Sequence, residues 1–370
     1  MFEVVIVGGG YAGVTAANRL AATPGSPARV TVINPRSHFV ERIRLHEYAA
    51  GTIESPNIDL STLLHPAVNL VVDTVTRIDD ERRVVILGSM EEMLYDYVIY
   101  AIGSGQGSAA TDAYSVANDM STSALRDRLQ QLTASAKVEI IGGGLTGIET
   151  ATEIAEQSPL LHVTLRTNGV VAPGFTESSR QRVRRGLRRL HVNLIEHSQD
   201  RTASTIPADE ASDMVIWCAG FSVPSLAADS GLPVDEHGRL LVDAALRVQG
   251  FAHIFGAGDA SVIDVPGYAY HRMSCASAMP MGGHAAANIL DIISGREPTS
   301  HSSGYLAHCL SLGRGDGLIQ FVRRNDTPVS FSLSGRPGAW VKELVSRRTI
   351  RWMLDEATKS GSYSWARGPA

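Results

Sequence analysis

An α/β fold of two Rossmann-like domains plus a small α+β C-terminal segment is predicted by three features of the sequence. A strand, a glycine-rich turn and a helix follow one another without a gap in residues 2–22, and again in residues 138–157. Apolar runs at 96–104, 213–220 and 254–260 each end in a small-residue turn. Apolar β-branched strands that alternate with helices make parallel sheets covered on both faces. Their repetition within one chain points to two such units.

Composition bounds the rest. With 370 residues, 44% of them hydrophobic, the chain can bury more than one core, and two or three domains are expected. A formal net charge of -5 gives no reason to expect nucleic acid as a partner. Cys218, Cys275 and Cys309 lie far apart and form no C-x-x-C. Neither a disulfide framework nor a metal site is expected, and the usage suits a reducing cytoplasm. Residues 4–17 carry no charge, but no basic segment precedes them, unlike a secretion signal. No apolar stretch of about 18 residues stands outside the glycine motifs, so no membrane span is expected.

In the first unit, residues 2–7 read as a buried strand, 14–22 as an alanine-rich helix, and 29–33 as a second strand ending at Asn34. Gly8, Gly10 and Gly13 hold the glycine positions of G-x-G-x-x-G, with Tyr11 and Ala12 between them. Gly8 allows a tight turn. Gly10 lets a pyrophosphate approach the backbone, and Gly13 lets helix and strand pack closely. The helix N-terminus adds free N–H groups and a positive dipole end. Strand, turn and helix together predict a dinucleotide cradle. The strand-end position usually carries an acid that bonds ribose hydroxyls. Asn34 can bond them without charge, or it merely opens an Asn34-Pro35 turn. Segments 70–72, 74–78 and 83–87 read as a small β-meander. Residues 105–108 read as a loop and a domain crossing.

After a helix at 121–135, the second unit has a strand at 138–141, Gly142, Gly144 and Gly147 around Leu145 and Thr146, a helix at 148–157 and a strand at 162–165. Aligning 30–34 with 163–167 puts Thr167 at the acidic position, beside Arg166. A neutral residue next to an arginine favours a ribose 2′-phosphate, unless Arg166 points to solvent. Six arginines between 180 and 189 surround Val183, Leu187 and Leu190, which fall at helical spacing, so the arginines occupy wet faces. The strand pattern at 213–220 ends at Gly220. The one at 254–260 ends in Gly258-Asp259, whose carboxylate can accept from hydroxyls of a sugar-like chain.

A helix at 281–293 is expected, with Pro280 near its first turn and its N–H groups toward an anionic ring edge. Segments 319–322 and 329–333 suggest a hairpin. Residues 340–354 suggest a basic amphipathic helix carrying Lys342, Arg347, Arg348 and Arg351. It serves core packing or a homodimer contact, or it rests on a membrane surface. The expected domains are 1–110 with 245–300, then 111–244, then 301–370.

These motifs in this order resemble the two-dinucleotide-binding-domain flavoproteins of the pyridine nucleotide–disulfide oxidoreductase superfamily. The resemblance covers nearly the whole chain. It rests on both glycine fingerprints, Tyr100-Ala101-Ile102-Gly103-Ser104, Trp217-Cys218-Ala219-Gly220 and Phe255-Gly256-Ala257-Gly258-Asp259. Residues 39–46 and 309–314 look like the type II NADH dehydrogenase-like and apoptosis-inducing-factor-like branch.

The resemblance implies FAD in the first domain, at Gly8, Gly10, Tyr11, Ala12, Gly13, Asn34, Pro35, Arg42, Ala101, Gly103, Gly258, Asp259, Pro280 and Met281. It implies NADPH or NADH in the second, at Gly142, Gly144, Leu145, Thr146, Gly147, Arg166, Thr167 and Gly220. By it, Asp259 bonds the ribityl chain, the Val75 backbone meets the adenine, and the Pro280 helix points at the flavin pyrimidine edge. Glu149 stands where the family places a glutamate near the nicotinamide, or it is a helix-surface carboxylate. Arg42 and Arg44 lie in the stretch that faces the flavin and are expected at the catalytic centre.

One departure sets the subclass. Disulfide reductases of the superfamily carry a redox cysteine pair in that stretch, and residues 39–51 hold no cysteine. Thiol–disulfide exchange needs an attacking thiolate and a partner, so electrons are expected to pass to a quinone or another small acceptor. Cys275 is expected to pack rather than react. One alternative is a tailoring oxidase or reductase of a specialised aromatic metabolite, prompted by the missing acid at Thr167. Another is a non-enzymatic redox-sensing flavoprotein. The expected setting is the cytoplasm, or the inner face of a membrane as a peripheral protein.

Overall fold

Two five-stranded parallel sheets carry the glycine turns in a computed structural model, which describes residues 1–106, 113–197 and 211–369. The first sheet has the order Ile254–Gly256, Tyr97–Tyr100, Phe2–Val7, Ala28–Asn34, Asn69–Val72. The second has the order Tyr114–Ser115, Met214–Trp217, Lys137–Ile141, His162–Asn168, Asn193–His197. Each glycine-bearing strand sits at the centre of its sheet. Val4 to Val7 and Val138 to Ile141 are buried without alternation, as expected of strands covered on both faces.

Packing corrects several boundaries. Asn69–Val72 joins the first parallel sheet beside Ala28–Asn34, and the meander is Val75–Asp79, Val84–Leu87 and Glu92–Leu94. The helix expected at 281–293 spans Cys275–Ile293 and lies against Tyr11–Ala22 so closely that a Cβ on Gly282 would overlap the Ala12 carbonyl. Leu226, Ala227, Leu232, Leu240 and Val242 belong to the first core, and Ile78 N donates to Ser230 Oγ at 2.9 Å. The chain therefore returns to the first unit well before residue 245. Gly105–Gln106 pairs antiparallel with Phe221–Ser222, so outgoing and returning strands run side by side. The rest of the expected crossing, 107–108, lies outside the described residues.

The C-terminal segment bridges both units. Strands Ala307–Ser311, Gly317–Val322 and Pro328–Gly335 form an antiparallel sheet. Its Leu310, Leu312 and Leu318 enter the second core. The helix Arg336–Thr358 sends Met353 into the first core and is tied there by Arg19 to Glu356 at 2.6 Å. Among the described residues, no helix is long and apolar enough to cross a membrane.

Candidate functional site

The two glycine turns leave their strands in the same way. Gly8 N donates to Ile33 O at 2.8 Å, and Gly142 N donates to Arg166 O at 2.8 Å. Both glycines have positive φ, +107° and +131°, a region that L side chains rarely adopt. A Cβ on Gly13 would overlap the Gly8 carbonyl oxygen, and one on Gly147 would overlap that of Gly142. Gly10 and Gly144 differ, because a Cβ on either meets nothing within 4 Å. In each turn the first and third glycines are closed in by protein, and the middle one of the motif faces open space.

Both turns open into one cleft of about 810 Å³. Asn34, Arg42, Ala101, Gly103, Gly258 and Asp259 line its first half. Leu145, Thr146, Thr167, Trp217 and Gly220 line the second. His46, Glu149, Cys275, Cys309, Lys342, Val345 and Thr349 line it as well and belong to elements from both units and the C-terminal segment.

Glu149 is the hub of this floor. Lys342 Nζ stands 2.9 Å from its Oε1, and Ser311 N donates to the same oxygen at 3.0 Å. His46 Nδ1 lies 3.9 Å from Oε2. Burial pushes this carboxyl up, but Lys342, His46 and the Ser311 N–H together hold it below the usual carboxylate range. Burial opposes charge on Lys342 too, and Glu149 outweighs it, so the ammonium persists. Burial drives His46 down to about 4, which leaves a neutral imidazole at pH 7.

On the first side, Ser104 Oγ donates to Asp259 Oδ2 at 2.8 Å, and Arg42 Nη1 donates to Ser104 O at 2.9 Å. Asp259 Oδ1 is buried with no partner among the described residues. A buried carboxylate oxygen left unpaired is costly, and a ligand hydroxyl would satisfy it. Burial raises all three cleft thiols, Cys218 to about 12, Cys275 to about 11 and Cys309 as well, so none is a thiolate at neutral pH.

The profile of the family described as pyridine nucleotide-disulphide oxidoreductase matches residues 2–282. The chain belongs to this family. Ferroptosis suppressor protein 1 of Xenopus tropicalis is 26% identical over 339 residues, covering 86% of this chain and 88% of that protein. An NADH dehydrogenase-like protein of Mycobacterium tuberculosis is 29% identical over 326 residues, covering 79% and 80%. In fold, the chain resembles the sulfide:quinone oxidoreductase of Aquifex aeolicus, with a TM-score of 0.81 at 15% identity over 97% of this chain and 92% of that one. FAD and NAD(P)H are the cofactors typical of the family. The open faces of Gly10 and Gly144 and the unpaired Asp259 Oδ1 suit such groups.

Several residues expected at the site of a family member stand elsewhere. Arg44 is not in the cleft lining. Glu41, Glu47 and Glu343 hold its guanidinium at 3.1, 2.9 and 2.8 Å, so its charge is spent on structure. Arg166 pairs with the buried Glu139 and contacts His197 Nε2 at 3.3 Å. It is not free for a ribose 2′-phosphate, and the ground for preferring NADPH falls away. Pro280 and Met281 are buried inside the helix, because that helix starts at Cys275. Ser274, Cys275 and Ala276 therefore bring its N-terminus to the cleft.

Pro35 and Val75 are likewise absent from the lining, and Val75 pairs with Leu87. Gly13 and Gly147 sit behind it as packing positions. Asn34 lines the cleft, but its amide is engaged within the turn. Its Oδ1 accepts from Gly9 N at 3.0 Å and its Nδ2 donates to Arg36 O at 2.7 Å. It braces the glycine loop in place of presenting a whole amide to a ribose. Glu149 is no helix-surface carboxylate.

Lys342, read from sequence as part of a basic surface helix, belongs to the cleft. Lys342, Val345 and Thr349 stand at helical spacing, which marks one face; that stripe was the available signal. Nothing in the sequence singled out His46.

Proposed function

We propose that this chain passes reducing equivalents from NAD(P)H by way of FAD to a quinone or a similar small acceptor. The observation that carries the reading is the one cleft shared by both glycine turns, with a Lys342–Glu149 pair on its floor and thiols held protonated. FAD and NAD(P)H supply two-electron hydride chemistry when bound.

The chain's own residues would do the rest. Residues 1–106 with about 221–300 would hold FAD, and 113–220 would hold NAD(P)H. The helix N-termini at Tyr11 and Leu145 offer N–H groups and dipole ends to the two pyrophosphates. Asp259 Oδ1, buried without a partner among the described residues, would accept a hydrogen bond from a cofactor hydroxyl. Arg42, bonded to Ser104 and 3.9 Å from Asp259, braces that wall. Glu149 and Lys342 hold paired charge where donor and acceptor would meet.

The names of the Aquifex neighbour and the mycobacterial relative support a quinone-type acceptor and a nicotinamide donor. Trp340 and Leu344 are exposed apolar side chains on the same helix as Val345, itself in the cleft lining. They support peripheral contact with a membrane that dissolves an apolar acceptor. The test is anaerobic. NADH or NADPH should bleach the flavin of the purified protein, and a quinone should restore its colour. If neither nucleotide bleaches it, or no quinone recolours it, the reading fails.

A further inference from the structure

We infer that His46 is a proton relay between the cleft floor and a carboxylate cluster nearer the surface. The inference rests on the quinone-type reading above. A quinone takes up two electrons and two protons on becoming a hydroquinone. NAD(P)H gives up two electrons and one proton as a hydride and leaves as NAD(P)+. One further proton per turnover must therefore come from water, and the acceptor's floor is buried.

The geometry offers one line of titratable groups. His46 is 3% exposed and lines the cleft. Its Nδ1 lies 3.9 Å from Glu149 Oε2, and its Nε2 lies 3.9 Å from Glu47 Oε1. Nε2 is buried and makes no hydrogen bond among the described residues. A buried imidazole nitrogen without a partner is unfavourable for stability, so a role in stability does not account for it. Both gaps are too short to admit a water and slightly too long for a hydrogen bond. A small tilt of the ring closes either one in turn.

Glu47 and three further carboxylates share two guanidiniums. Arg44 pairs with Glu41, Glu47 and Glu343. Arg314, about a third exposed, pairs with Glu47 at 3.2 Å and with Glu153 at 2.8 Å. Crowding and burial disfavour the charged form of a carboxylate. Burial accordingly raises Glu41 and Glu153. The charged groups facing His46 are Glu149, Lys342, Glu47 and Arg314, two of each sign. The ring can therefore gain and lose a proton without leaving a large net charge buried. During relay, the proton enters at Nε2 from the Glu47 side and leaves from Nδ1 toward Glu149. Lys342, bonded to the other Glu149 oxygen, then faces the acceptor with a carboxyl that has a proton to spare.

The test uses flavin-loaded protein and the variant His46→Gln, which keeps a polar side chain but cannot shuttle a proton. Each is reduced with NADH and mixed with 1,4-benzoquinone or with ferricyanide, which takes electrons without protons. Reoxidation by benzoquinone should slow about a hundredfold in the variant, the scale of one general acid–base group. Flavin reduction and the ferricyanide rate should stay within about twofold, and added imidazole should restore part of the quinone rate.

A pH-indicator dye should show proton uptake lagging behind electron transfer in the variant only. In the unmodified protein, the quinone step should be slower in D2O and the ferricyanide step should not. That measurement stands even if the variant fails to fold. An unchanged benzoquinone rate, or equal losses with both acceptors, overturns the relay alone. An unmodified protein that reduces ferricyanide but no quinone overturns the functional reading and the relay with it.

Discussion

Lys342 Nζ lies 2.9 Å from Glu149 Oε1, so the C-terminal helix supplies the counter-charge for a buried carboxylate on the second glycine helix. The pair ties a segment outside both parallel sheets to the floor of the cleft they share. Its removal has a calculable consequence. Lys342→Met leaves the Glu149 charge buried and unpaired and should lower stability by about 3 kcal/mol in urea denaturation. Adding Glu149→Gln should recover a large part of the loss. Simple addition of the two single effects would show that the pair is not coupled.

Gly10 and Gly13 should separate cofactor binding from folding. Gly10→Ala places its methyl in the open cleft, so the melting temperature of the flavin-free protein should barely move while flavin affinity falls about tenfold. Gly13→Ala drives a methyl into the Gly8 carbonyl and should cost about 2 kcal/mol or more of stability. Flavin content and melting curves of both variants check this. Equal flavin loss with equal destabilisation would contradict it.

Burial lowers His271 to about 4, and both its ring nitrogens lack partners among the described residues. Its folded value is below the unfolded one. Its contribution is therefore fully present above pH 6.5 and fades as the pH falls from 6.5 toward 4, by about 2 kcal/mol at pH 5. His271→Phe should flatten this part of the acid limb, read as the difference between the two proteins' stabilities at pH 7 and pH 5. Parallel curves would count against it.

Arg166→Ala should not change nucleotide choice. The guanidinium neutralises the buried Glu139, so the variant should lose about 3 kcal/mol of stability. Its NADPH-to-NADH ratio of kcat/KM should move by less than about threefold, under 1 kcal/mol. A tenfold drop in the NADPH term alone would return Arg166 to the nucleotide site.

The glycine turns were legible because their chemistry is local. Each motif sits between its own strand and helix, and the neighbours that close in Gly13 and Gly147 are Gly8 and Gly142. The start of the Cys275–Ile293 helix was misread for a local reason too. Proline favours a first turn, yet inside a helix it also survives where tight packing, here against Ala12 at Gly282, holds the segment together.

The sequence by itself determined two dinucleotide cradles, their order, and the lack of a redox cysteine pair beside the first. Only the tertiary structure decided that both cradles open into one cleft, and which charges reach its floor. A lysine on a basic helix reads the same whether it meets water or a buried carboxylate. Arg44, Arg166 and Lys342 are alike in type, and Glu343, Glu139 and Glu149 reach them from other elements of the fold. Burial then sets the outcome, because a charge in a dry site persists only beside an opposite one. The first turn, Gly8 to Gly13, needed only its own neighbours to form. Its place opposite Glu149 and Lys342 needed the whole fold.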